Sequence, residues 1–142
     1  MLPFNRRNVW IFLCLDITVV ILSLCLAYLL RFDFQISTEN LNQIFELSLI
    51  FVFSKLSINI FYNVYSGLWR FTSLPDLINI IKSNSIGTML SIVVAILTLK
   101  VSSIPRSIYL LDFIFSTIGF ITTRTLARIY SEKIRQFRKR PL

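Results

Sequence analysis

From Asn8 to Leu30 the chain carries a single charged side chain, Asp16, in "NVWIFLCLDITVVILSLCLAYLL". An uninterrupted apolar run of this length leaves few folds open. It matches the ~20 residues a helix needs to cross a hydrocarbon core. In lipid, backbone groups find no water, so such a segment must satisfy its own hydrogen bonds as a helix. Three further runs have the same character: Ile44 to Val64, Ser85 to Leu99, and Ile108 to Ile129. The third is short and borrows flanking residues to span. The chain is 55% hydrophobic and only 15% charged, where a soluble domain carries about 25% charged residues. These features predict an all-α membrane protein, a bundle of four transmembrane helices spanning about residues 9–30, 44–64, 85–99 and 108–129. A three-span arrangement, with the Lys55-bearing segment lying at the interface, is the alternative.

The first run follows Arg6 and Arg7, as a signal peptide would. It exceeds the ~7–15 residues of a signal h-region and lacks a small-x-small cleavage site, so it is a retained anchor. Cys14 and Cys25 lie on this helix, roughly 16 Å apart at 1.5 Å per residue, which excludes a disulfide between them.

The net charge of +8 does not indicate nucleic acid, because the basic residues flank apolar spans. They set topology and meet anionic lipid. With both termini cytoplasmic, the inside holds ten: Arg6, Arg7, Arg70, Lys82, Arg128, Lys133, Arg135, Arg138, Lys139 and Arg140. The outside holds three, Arg31, Lys100 and Arg106. Residues 130–142 then form a basic cytoplasmic tail.

The connection after the second run, "YSGLWRFTSLPDLINIIK", is aromatic and polar. Trp69 suits the headgroup level, and Arg70 can reach lipid phosphate. Ser73 has the position of an N-cap, Pro75 of a first-turn residue, and Asp76 of a capping-box partner. Leu74, Leu77, Ile78 and Ile81 share one face, which predicts a short interfacial amphipathic helix over about 74–82 on the cytoplasmic side.

Four charges fall inside spans: Asp16, Lys55, Asp112 and Arg124. Charges in lipid are costly and face protein or water. Counted from the cytoplasmic end, Asp16, Arg124 and Lys55 lie about seven, five and nine residues in, within roughly 6 Å of one another at 1.5 Å per residue. Arg124 is the favoured partner of Asp16, with Lys55 second. Asp112 is expected near the outer end of span four, within reach of Arg31 or Arg106. Paired charges that set helix register are favoured over a proton path. Small and polar residues also recur at helical spacing: Asp16, Val20, Ser23 and Ala27; Thr88, Ser91 and Ala95; and Asp112, Ser116, Gly119 and Thr123. Such stripes let membrane helices approach closely.

"LAYLLRFDF", "YSGLWRFTSLPDLINIIK" and "PRSIYLLDFIFSTIGFITTRTLARI" together resemble one family's N-terminal region. It is the membrane region of the bacterial CapD-like polysaccharide-biosynthesis proteins, which are membrane-bound nucleotide-sugar 4,6-dehydratases and epimerases. The resemblance runs from about Arg6 to Arg140. Sugar-phosphate transferases acting on polyprenyl phosphate carry a loosely similar four-span N-terminus. The resemblance implies a bacterial inner-membrane anchor for a cytoplasmic, NAD-dependent catalytic domain. It leaves partners open between a second copy and other glycan-biosynthesis membrane proteins.

That catalytic domain is not expected within these residues. Gly67, Gly87 and Gly119 cannot form a G-x-G-x-x-G phosphate loop, and no Tyr is followed four residues later by Lys. With no His and both Cys on one span, no metal site is expected either. No catalytic, cofactor-binding or metal-ligating residue is assigned. The chain reaches "RQFRKRPL" about where the family's linker to its catalytic part would begin. A small standalone transport subunit is a third reading. It would call for Gly or Pro interruptions near the midplane, whereas Pro3, Pro75, Pro105 and Pro141 lie at span ends or in tails.

The charge asymmetry fixes an expected labelling pattern. In a Cys14→Ser/Cys25→Ser background on intact cells, an impermeant thiol reagent should modify Asn40→Cys and spare Ser73→Cys. The reverse pattern would invert the topology.

Overall fold

Four helices follow one another along the chain in the computed structural model, which describes residues 6–62, 64, 74–99 and 104–140. They are α1 (Arg6–Arg31), α2 (Thr38–Phe61), α3 (Leu74–Leu99) and α4 (Arg106–Lys139). Each is long and apolar enough to cross a membrane, the Lys55-bearing α2 included, so the chain is a multi-pass, all-α membrane protein.

The chemistry is turned inside out relative to a water-soluble bundle. Phe53 and Leu97 are 71% and 73% exposed, while Asp16, Asp112 and Ser116 are at 0%. Water would reject that distribution, and a hydrocarbon solvent rewards it. Leu22, Phe45, Met89 and Leu110 likewise point outward.

Successive helices run in opposite directions. Each packs on its sequence neighbours, and α4 closes the ring on α1. No Cα of α1 comes within 8 Å of α3, nor any of α2 within 8 Å of α4. One end of the bundle holds the α1–α2 turn and the start of α4, here the turn end. The other holds the starts of α1 and α3 and the end of α4, the tail end. An apolar layer fills the turn end: Ala27 and Tyr28 of α1, Ile44, Leu47 and Phe51 of α2, Ala95 of α3 and Ile108 of α4. Toward the tail end the interior becomes polar.

Local sequence explains the helix ends. After α1 the chain passes through Asp33 and Phe34 at positive φ, 50° and 64°. The Phe34 N–H returns to the Leu29 carbonyl at 2.8 Å and the Phe32 N–H to that of Tyr28 at 3.0 Å. These bonds use carbonyls that a helix C-terminus otherwise leaves bare. Ser37 then caps α2, its hydroxyl accepting the Asn40 N–H, with Glu39 favourably placed in the first turn. Helix α2 therefore starts at Thr38 rather than near Ile44. The polar residues 38–43 supply the cap and first turns, not a loop.

The separate interfacial helix over 74–82 is corrected. Those residues are helical, but they are the opening turns of α3, which runs unbroken to Leu99. No Gly or Pro lies between Asp76 and Gly87 to interrupt it. Ser83 and Asn84 look like a polar break, yet both are buried and hydrogen-bonded within the bundle. The predicted stripe faces away from the bundle, with Leu74, Ile78 and Ile81 exposed and Ile80 turned inward. Nor is the basic tail a detached segment. Helix α4 has 34 residues, about 51 Å at 1.5 Å per residue, against a hydrocarbon core of ~30 Å.

Two glycines seat the closest helix pairs. At Gly119 an added Cβ would lie 2.5 Å from Val19 Cγ1 on α1. At Gly87 it would lie 3.2 Å from both Cα and Cγ of Lys55 on α2. Valine has little rotamer freedom in a helix, so the Gly119 contact cannot relax by side-chain motion. Gly119→Ala should therefore lower stability in detergent by ~1–3 kcal/mol through overpacking. Adding Val19→Ala should recover most of that loss in thermal melts. Additive losses would mean that the two residues do not share the contact.

Candidate functional site

The polar interior is held by two ion pairs. Near the tail end, the Arg124 guanidinium of α4 grips the Asp16 carboxylate of α1 with both forks. Nη1 lies 3.1 Å from Oδ1 and Nη2 3.1 Å from Oδ2. The side chains are 6% and 0% exposed. This parallel two-bond geometry is charge-assisted and fixes orientation as well as distance. Arg124 also lies over the Phe120 ring, 5.7 Å from its centroid.

The second pair crosses the bundle. Lys55 Nζ of α2 donates to Asp112 Oδ2 of α4 at 2.6 Å and to Ser116 Oγ at 2.9 Å. Both charged side chains are fully buried. The other oxygen of Asp112 accepts from the Ser23 hydroxyl of α1 at 2.7 Å. Asn84 of α3 completes the arrangement, its Nδ2 donating to Ser116 Oγ at 2.9 Å and Thr117 Oγ1 at 2.8 Å. Ser116 donates its own O–H to the Phe113 carbonyl at 3.2 Å, so its donor and both acceptor positions are used. Ser23, Lys55, Asn84, Asp112 and Ser116 thus draw one network from all four helices.

Asp112 does not pair with Arg31 or Arg106, as its position along the chain suggests. Those two side chains are exposed, and the Asp112 carboxylate turns inward. Helices α2 and α4 run in the same direction, and Phe51 of α2 stacks on Tyr109 of α4 about one turn nearer the turn end, so Lys55 and Asp112 stand at about the same height on opposite sides of the bundle. A four-carbon stem covers a diagonal that the backbones leave open.

Closer to the tail end, Ser83 of α3 donates to Asn59 Oδ1 of α2 at 2.9 Å. Asn79 Nδ2 donates to the Tyr62 carbonyl at 3.2 Å. Asp76 lies in the first turn of α3, half-buried. Trp69, Arg70 and Ser73 lie outside the described residues. Asn59, Ser83, Asn84 and Thr117 are the participants that sequence reasoning missed. For Ser83 and Asn84 the signal was the spacing of Ile80, Ser83, Asn84, Gly87, Thr88, Ser91 and Ala95, one buried stripe of α3. Starting the span at Ser85 cut that stripe short.

Chemically the site is closed. The charges neutralise each other pairwise, and their side chains are at most 6% exposed. Among the described residues no three His, Cys, Asp or Glu side chains converge. What the arrangement does is fix which helix faces which, and at what height. Compared with known proteins, the chain matches no family model, no curated protein and no solved structure.

Removing one member of a buried pair leaves its partner uncompensated, at ~3–5 kcal/mol in proteins generally. In a membrane bundle the loss is smaller where the survivor can snorkel. Asp112→Leu should therefore lower the melting temperature in detergent, and Lys55→Met in the same chain should restore part of it. Double-mutant cycles should give coupling above ~0.5 kcal/mol for Asp112 with Lys55 and for Asp16 with Arg124. Coupling of Asp16 with Lys55 instead would overturn the pairing.

Proposed function

We propose that this chain is the membrane-anchoring N-terminal region of a bacterial polysaccharide-biosynthesis nucleotide-sugar dehydratase or epimerase. It sits in the inner membrane with both termini cytoplasmic and holds a catalytic domain at the membrane surface. The anchoring role rests chiefly on α4. This helix leaves the apolar span without a break and continues to Lys139, with Lys133, Arg135, Arg138 and Lys139 exposed. A continuous helix fixes the direction in which whatever follows leaves the bilayer. Its cations hold that exit against anionic headgroups.

The choice of parent enzyme rests on the "GLWR" and "PRS" segments and on the "LLRFDF" close of the first span. NAD would bind in the domain that follows α4, not among these residues. The nearer rival is the anchor of a polyprenyl-phosphate sugar-phosphate transferase. A transport subunit is disfavoured because α1 to α4 are unbroken and the buried charges are sealed. Alternating access calls for broken helices and a site that opens.

Two measurements test this reading. Calorimetry on the 142-residue protein should show no binding of NAD or a UDP-sugar, and micromolar NAD affinity would overturn the anchor assignment. The reading frame after codon 142 should encode a dinucleotide fingerprint within a few dozen codons. A basic re-entrant helix followed by an acidic motif would identify the transferase instead.

A further inference from the structure

We infer that the groove between α3 and α4 is a seat for one anionic phospholipid, with an acyl chain in the groove and the phosphate on Arg106. The groove has a volume of about 320 Å³, within the ~300–1,000 Å³ of ligand clefts. Met89 of α3 and Leu110 of α4 form its rims, 69% and 62% exposed. Thr88 is its buried floor, and Ile92, Tyr109 and Phe113 line its walls. The rims open sideways, toward what the rest of the exposed surface identifies as lipid.

The groove has a direction. Because α3 runs toward the turn end and α4 away from it, Ile92 and Tyr109 lie at the mouth and Ser85 and Phe113 lie deeper. Arg106, Tyr109, Leu110 and Phe113 follow the i, i+3, i+4, i+7 rule, so they share one face of α4. Arg106 therefore stands one turn beyond the mouth on the groove's own face. It is exposed, at the start of a membrane-spanning helix, where headgroup phosphates lie. An apolar trough ending in a guanidinium matches a hydrocarbon chain that ends in a phosphate. Arginine can hold that phosphate with two parallel hydrogen bonds.

This seat lies at the opposite end of the bundle from the basic end of α4. It holds whichever domain α4 leads to. The test uses the full chain, purified in detergent, delipidated and titrated with dioleoyl phosphatidylglycerol or dioleoyl phosphatidylcholine, with bound lipid counted by native mass spectrometry. Wild-type protein should retain one phosphatidylglycerol in preference to phosphatidylcholine. Arg106→Gln should weaken that lipid about tenfold, the loss expected for a hydrogen bond to a charged group. Leu110→Trp, which fills the groove from one rim, should remove one lipid from the count. Met89→Trp closes the groove from the other rim, so the test stands if either tryptophan variant fails to fold. Lipid held at the basic end of α4 is common to all variants and cancels in the comparison. Unchanged phosphatidylglycerol binding in Arg106→Gln, or an undiminished count in a folded tryptophan variant, would overturn the inference.

Discussion

The hydrogen-bonded diagonal from Lys55 to Asp112 is the constraint on which the bundle depends. Apolar surface cannot choose among helix arrangements in a bilayer, because lipid tails are as apolar as leucine. A buried ammonium and a buried carboxylate can choose, since each costs least where the other stands. With Ser23, Ser116 and Asn84 attached to the same pair, a shift of any one helix strands polar groups on another. Asp16 and Arg124 add a second fixed point nearer the tail end. Two points set both the height and the rotation of α1 against α4.

Close packing and polarity support each other here. Gly119 lets α1 approach α4, and Gly87 lets α2 approach α3. Those two close approaches are crossed by Ser23–Asp112 and Asp16–Arg124 between α1 and α4, and by Ser83–Asn59 between α3 and α2. The apolar layer at the turn end shields the network from that side. Polar contacts and tight backbone approach are the two means by which membrane helices associate without a hydrophobic drive between them.

The four helices and their apolar exterior were legible in the sequence, because long uncharged runs permit little else. Asp16 and Arg124 could be matched by depth, since α1 and α4 lie level with each other. Lys55 could not be matched that way. It stands level with Asp112, next to the Phe51–Tyr109 ring pair, and counting from span ends missed this because the assumed ends of α2 and α4 do not lie at one height. The start of α3 was misplaced because Ser83 and Asn84 look like the end of a hydrophobic segment. They are polar because they face inward, and only a three-dimensional partner reveals that. The cap at Ser37 carried a recognisable sequence signal in Ser-Thr-Glu, masked by the weak hydropathy of residues 38–43.

The order of the charges along the chain has a consequence for biosynthesis. Asp16 and Lys55 belong to α1 and α2, but both of their counter-charges, Arg124 and Asp112, belong to α4. A ribosome delivers the N-terminal helices first. Until the final span enters the bilayer, one carboxylate and one ammonium therefore wait in a half-built bundle with no opposite charge in their eventual sites. The last helix neutralises both at once. A chain stalled before α4 would therefore carry two buried charges of opposite sign with neither of their counter-charges in place.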